Sequence, residues 1–179
     1  MTPEERLAEL GLELPDFQAE FSQNPAQAKF ISHYTVGEVL YLSGCTPTKD
    51  KKPYMTGVLG VDLTIEQGAD AARQAALCYL AQIKYALGDL SRIRQIISLM
   101  GYVNSGPDFT NQPRVINGAV DLLVDVLGEE KGMSTRAAVG CRGIASNASV
   151  ELIMTVLYDG GDVTQPMKRG GGAWAGQLA

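Results

Sequence analysis

Apolar residues recur along this chain with two periods, and the switches between them mark out the elements. The first ten residues pattern as a short helix, with Thr2 as its cap, Pro3 in the first turn, Glu5 completing a capping box and Gly11 as the stop. A polar stretch runs on through Asn24 and Pro25. Two extended runs rich in Tyr, Val, Leu and Ile, Lys29 to Thr35 and Glu38 to Ser43, are split by Val36 and Gly37 and predict a hairpin. The lysine-rich segment Thr46 to Pro53 predicts a loop, and Tyr54 to Gly60 a further short strand. Thr64 and Gln67 form a second capping box. Behind it Ala72, Ala76, Leu80, Ile83 and Leu87 repeat at three and four, which predicts a long helix ended by Gly88. Its alanines point to close packing on a flat partner. Ile93 to Val103 predicts a long buried strand. Asp108 and Asn111 introduce another helix, with Pro113 in its first turn, a stripe of Ile116, Ala119, Leu123 and Val126, and Gly128 as the stop. Arg136 to Cys141 and Val150 to Tyr158 predict two last strands.

The expected order is strand, strand, strand, helix, strand, helix, strand, strand. This predicts an α+β fold in which a mixed sheet carries two long helices on one face. Such a layer leaves the other face of the sheet open. A strand as apolar as Leu152 to Tyr158 does not face water, so the open face predicts an oligomer. At 179 residues the chain has the length of one domain, divided as an N-terminal segment with a short helix (1–28), the main domain (29–158) and a Gly-rich tail (159–179) that holds the single tryptophan, Trp174.

Composition removes several function classes. A 45% hydrophobic, 20% charged chain buries a core, and no apolar run reaches the length of a membrane span. The acidic start MTPEERLAEL is unlike a secretory signal, so the expected location is cytoplasmic with no membrane partner. Fifteen Lys and Arg against 20 Asp and Glu give a formal charge of −5, which argues against a nucleic-acid partner. Cys45, Cys78 and Cys141 are scattered without a CxxC pair, so neither a disulfide framework nor a metal site is expected. His33 is the single histidine, read as a surface or strand-edge residue, and no glycine pattern matches a phosphate loop. No cofactor is expected.

Charges inside predicted strands remain. Arg136 opens a strand of small residues, TRAAVG, where a guanidinium fork has room to grip a carboxylate. Glu151 lies between Val150 and Leu152, where desolvation raises a carboxyl pKa and suits it to proton transfer with water. The alternative is that the two simply pair with each other, or sit at strand ends in water.

The phrases GEVLYLSG, GVLGVDLTIEQGADAARQAALCYLAQIKYALGDLSRI, GYVNSGPDF followed by Asn117, and TRAAVG with Glu151 fifteen positions after Arg136 resemble the RidA/YjgF/UK114 superfamily over about residues 29 to 158. They are nearest to the subgroup described as endoribonuclease-like YjgF proteins. The resemblance implies a chorismate mutase-like subunit that assembles as a homotrimer with sites in the clefts between subunits. For RidA-type members it implies hydrolysis of enamines and imines to 2-keto acids and ammonia. Matched residue by residue, it makes Arg136 the carboxylate-binding arginine and Glu151 the water-positioning glutamate, with Gly44 and Asn117 also at the site. Phe30 falls where many deaminating members carry a tyrosine, and Ala138 where a cysteine contributes its main-chain carbonyl. Cys45, Ile144, Ala145 and Ile153 are further departures, and they bear on the choice of substrate.

The function expected is therefore an imine or enamine deaminase acting on a carboxylate-bearing small molecule. A small-carboxylate-binding regulatory trimer without turnover is the alternative, favoured by Phe30 and Ile153. An endoribonuclease has as its sole support the lysine loop of Lys49, Lys51 and Lys52.

Overall fold

The computed structural model describes residues 1–23 and 28–169. Helices form at α1 (Pro3–Glu9), α2 (Phe17–Gln23), α3 (Ile65–Leu87), α4 (Gln112–Leu127) and α5 (Glu129–Gly132). Strands form at β1 (Phe30–Ile31), β2 (His33–Val36), β3 (Val39–Leu42), β4 (Thr48–Lys49), β5 (Lys52–Pro53), β6 (Ile93–Asn104), β7 (Thr135–Cys141), β8 (Val150–Tyr158) and β9 (Lys168–Arg169). Five of them make one mixed sheet in the order β2-β3-β8-β6-β7, in which β6 and β7 run parallel and the other neighbours antiparallel. The expected α+β class holds.

Both predicted capping boxes are present, with Thr2 and Thr64 each accepting from the third residue of its helix. Every residue of α3 from Ala75 to Ile83 is buried, because the helix is enclosed on several sides. The sheet covers one side and α4 another, where the helices approach so closely that a side chain on Gly118 would collide with the Ala69 backbone. A third side is closed by α2, through Phe17 against Tyr85, and by the returning C-terminal segment, where the Thr164 N–H donates to the Ala86 carbonyl. The short alanine side chains, fully buried at 71, 72, 75 and 76, permit this crowding.

Three expectations need correction. The stretch Tyr54 to Gly60 is not a strand; it is a series of tight turns with Met55 at a positive φ of 49°, with isolated bridges from Thr56 to Ala148 and from Leu59 to Ser105, just outside β8 and β6. The lysine loop folds into a minimal hairpin, β4 and β5, around Asp50 and Lys51, both at positive φ, as a type I′ turn requires. The polar stretch before Asn24 contains α2, whose first turn is capped by the Asp16 carboxylate accepting from the Ala19 N–H at 3.0 Å.

Residues 159–169 fold back on the domain. His33 is buried, not a surface group: its Nε2–H donates to the Thr164 carbonyl at 2.8 Å, and its Nδ1 accepts from the Ser32 hydroxyl at 2.9 Å. Ser32 Oγ in turn accepts from the Met167 N–H. This chain of bonds holds β9 against β1, with Phe30 opposite Arg169. The expected glycine-rich run after Arg169, with Trp174, lies outside the described residues, as do Asn24 and Pro25.

One sheet face packs on α3 and α4 through Leu40, Leu99, Val103, Leu152, Met154 and Val156. The opposite face is open and apolar. Tyr34 is 54% exposed, Tyr41 49%, Val139 40% and Ile153 40%.

Candidate functional site

Strand parity decides where each candidate side chain points, because successive residues face opposite sides of a sheet. Arg136 lies opposite Leu99 in the parallel pairing of β7 with β6, so it shares the helix-covered face with that core residue. At the sheet edge α4 ends its cover, and Arg136 is exposed there, donating from Nη1 to the Asn117 Oδ1 at 2.7 Å. That bond aims the guanidinium and leaves the rest of its fork available. Among the described residues no carboxylate forms an ion pair with it. Ala138, two positions on and opposite Gly101, lies half-buried on the same face.

Glu151 lies opposite Tyr102 in the β8–β6 pairing and so faces the open side. Its carboxylate has no hydrogen-bond or ion-pair partner among the described residues. Burial pushes its pKa above the ordinary value. The carboxylate leans over Gly44, where any side chain would collide with it. Gly44 is held by its neighbours: Cys45 and Leu152 exchange two backbone hydrogen bonds of 2.9 Å each. Below them the buried Tyr79 hydroxyl lies 2.7 Å from the Leu152 carbonyl and 2.9 Å from that of Ser43.

Gly44 opens onto a cleft of about 220 Å³ lined by Phe17, Phe21, Phe30, Cys45 and Cys78, among others. Phe30 packs edge-on to Phe21 with ring centroids 5.6 Å apart. The two thiols are adjacent. Hydrogen bonding to Cys45, together with Thr48, brings the Cys78 pKa down to about 7, while the same contact and burial push Cys45 well up. No cluster of three or more metal-ligating side chains occurs among the described residues.

The structure therefore sorts the candidates into two groups. Phe30 and Gly44 line the cleft, and Glu151 lies against Gly44; Arg136, Asn117 and Ala138 come together at the β7 edge. Arg136 and Glu151 do not pair, since they face opposite sides of one sheet. The sequence reading missed Tyr79, whose helical spacing reads simply as core, and Arg169, which also lines the cleft.

A five-stranded mixed sheet under two long helices defines a chorismate mutase-like α+β fold. Residues 4–155 match the family model described as "YjgF/chorismate_mutase-like, putative endoribonuclease". The chain belongs to that family, within the RidA/YjgF/UK114 superfamily. It is 42% identical over 146 residues to Protein TCP17 of Trypanosoma cruzi, covering 82% of this chain and 88% of that one. A crystal structure of a protein of unknown function from Agrobacterium tumefaciens is 42% identical with a TM-score of 0.78, over 88% of this chain and 92% of that one. A structure from Shewanella oneidensis that carries the same endoribonuclease description is 34% identical with a TM-score of 0.80, over 88% and 99%.

Proposed function

We propose that this protein hydrolyses carboxylate-bearing imines to 2-keto acids and ammonia, at sites that form when three copies close into a ring. The observation that carries the reading is a pair of charges without a counter-ion among the described residues, Arg136 at one edge and a desolvated Glu151 on the opposite face, which do not pair with each other. A heterologous ring interface places the β7 edge of one subunit against the open face of the next, so each site takes Arg136 from one chain and Glu151 from another. The apolar open face, with Tyr41, Val139 and Ile153 exposed, supplies the surface to be buried.

The chemistry asks little of the protein. Imines of 2-keto acids already react with water, so holding the ligand, placing the water and shuttling its two protons to nitrogen suffice. Arg136, steadied by Asn117, grips the carboxylate through its free N–H groups. Glu151 takes a proton from a water as the water oxygen bonds to C2. The protonated carboxyl returns that proton to nitrogen, giving a carbinolamine; the carbinolamine hydroxyl then passes its own proton through the same carboxyl to nitrogen as the C2–N bond breaks, leaving a C2 carbonyl and ammonia. A carboxyl whose pKa is raised by burial is suited to both transfers.

Ribonuclease activity finds less support. The formal charge is −5, and the one histidine is buried in bonds to Ser32 and Thr164, out of reach of a phosphodiester. The test couples an amino-acid oxidase, which generates imines in place, to keto-acid formation across many amino acids. Wild type is expected to accelerate hydrolysis over buffer, and Arg136→Ala to match buffer. Equal rates for buffer and wild type across the panel, with keto acids still bound, would make the protein a carboxylate binder.

A further inference from the structure

A cation with no counter-ion among the described residues stands in the wall of the cleft, and the reaction above does not use it. Arg169, at the end of β9, is the cross-strand partner of Phe30. Its Nη2 donates to the Phe21 carbonyl, one of the carbonyls that the last turn of α2 leaves without a helical partner. The guanidinium carbon lies 4.4 Å from the ring centroid of Phe21 and 5.4 Å from that of Phe30. The two rings thus steady the charge without neutralising it. Among the described residues Nε and Nη1, both buried, have no hydrogen-bond partner, and no carboxylate pairs with the group. Burial lowers its pKa, as it must for a desolvated cation, yet a guanidinium keeps its proton in any protein setting.

Unmade buried donors are costly, and a fold that keeps them beside a cavity keeps the receptor half of an interaction. The same cleft has both Gly44, against which the Glu151 carboxylate lies, and Arg169 in its lining, with Phe17, Phe21 and Phe30 as apolar walls. Lys51 adds a second positive charge; Glu20, the acid on the lining, already accepts a hydrogen bond from the Thr48 hydroxyl. About 220 Å³ admits a chain of a few carbons.

We propose that Arg169 anchors a second anionic group, so that the preferred ligands are α-imino acids, and the matching 2-keto acids, that carry a carboxylate at the far end of the side chain. The near end of that ligand rests on the reading given above for Arg136 and Glu151; the far end rests on Arg169 alone.

Two keto acids of equal carbon number isolate the far end: 2-oxoglutarate carries the distal carboxylate and 2-oxopentanoate a methyl in its place. Calorimetry on wild type should show 2-oxoglutarate binding about 10-fold or more tightly. Arg169→Met, which keeps an unbranched stem between Phe21 and Phe30, should bring the ratio below about 2-fold with 2-oxopentanoate affinity kept. Arg169→Lys, which keeps the charge, should hold an intermediate ratio and covers the case in which Arg169→Met does not fold. Equal affinities in wild type, or an undiminished ratio in either variant, would overturn the proposal. A wild type that accelerates no imine hydrolysis yet shows the Arg169-dependent ratio would remove the catalytic reading and leave this anchor standing.

Discussion

Arg136 and Glu151 flank the same central strand yet look away from each other. Across β6 they meet Leu99 and Tyr102, an odd number of residues apart, which puts the guanidinium on the helix side of the sheet and the carboxylate on the open side. No rotamer brings them to one small ligand within a chain. If both act on the same substrate, two copies must supply them, and the exposed apolar face that carries Glu151 is the surface on which a neighbour would rest.

Replacing Arg136 by Lys tests what the arginine does. Lysine keeps the charge but loses the planar fork and the geometry of the bond to Asn117. Binding of 2-keto acids should weaken by about 1–3 kcal/mol, read by calorimetry. Equal affinity in both proteins would move carboxylate recognition elsewhere.

Glu151→Gln should lower imine hydrolysis by roughly 100-fold while keto-acid binding is largely kept. The same substitution has an opposite effect on stability. Because burial raises the folded-state pKa of Glu151 above its ordinary 4.5, the folded protein gives up this proton later than the unfolded chain does. Its ionisation therefore costs stability as pH rises past 4.5, and the glutamine variant should melt at a higher temperature than wild type at neutral pH. A lower melting temperature would mean that Glu151 has a stabilising partner.

Gly44→Ala places a methyl where the Glu151 carboxylate lies. Loss of both hydrolysis and about 1–3 kcal/mol of stability is expected, from chemical denaturation and the oxidase-coupled assay. A fully active, fully stable variant would show that the carboxylate is free to sit elsewhere.

The long elements were legible because each carries its own local signal. Thr64 and Gln67 start α3, Gly88 and Gly128 end α3 and α4, and the density of aliphatics in Ile93 to Val103 and Val150 to Tyr158 favours strand. Helix α2 and the course of residues 159–169 were not legible, because what holds them is distant in sequence: Phe17 needs Tyr85, and Thr164 needs His33 and Ala86. For the same reason Arg169 read as part of a glycine-rich tail. Arg136 and Glu151 stood out as charges within strands, but their facing depends on register, which neither strand encodes alone.

His33 supplies a pH test of that returning segment. Burial holds its pKa below the ordinary 6.5, so the unfolded chain takes up a proton before the folded protein does. The stability it contributes is present above 6.5 and is lost as pH falls through the lower folded value. Melting temperature should drop for wild type between about pH 7 and 5 more steeply than for His33→Gln, which has no such proton to gain. Parallel curves would show that His33 titrates freely.

The central claim is that one site is built from two chains, and mixing two dead variants tests it most directly. Arg136→Ala and Glu151→Gln subunits, each inactive alone, are unfolded and refolded together in equal amounts. In random trimers three-quarters are mixed, and each mixed ring holds one interface with both wild-type residues out of three, so activity should return to about a quarter of the wild-type rate. A mixture no more active than its two components, in rings shown to have exchanged subunits, would contradict the account.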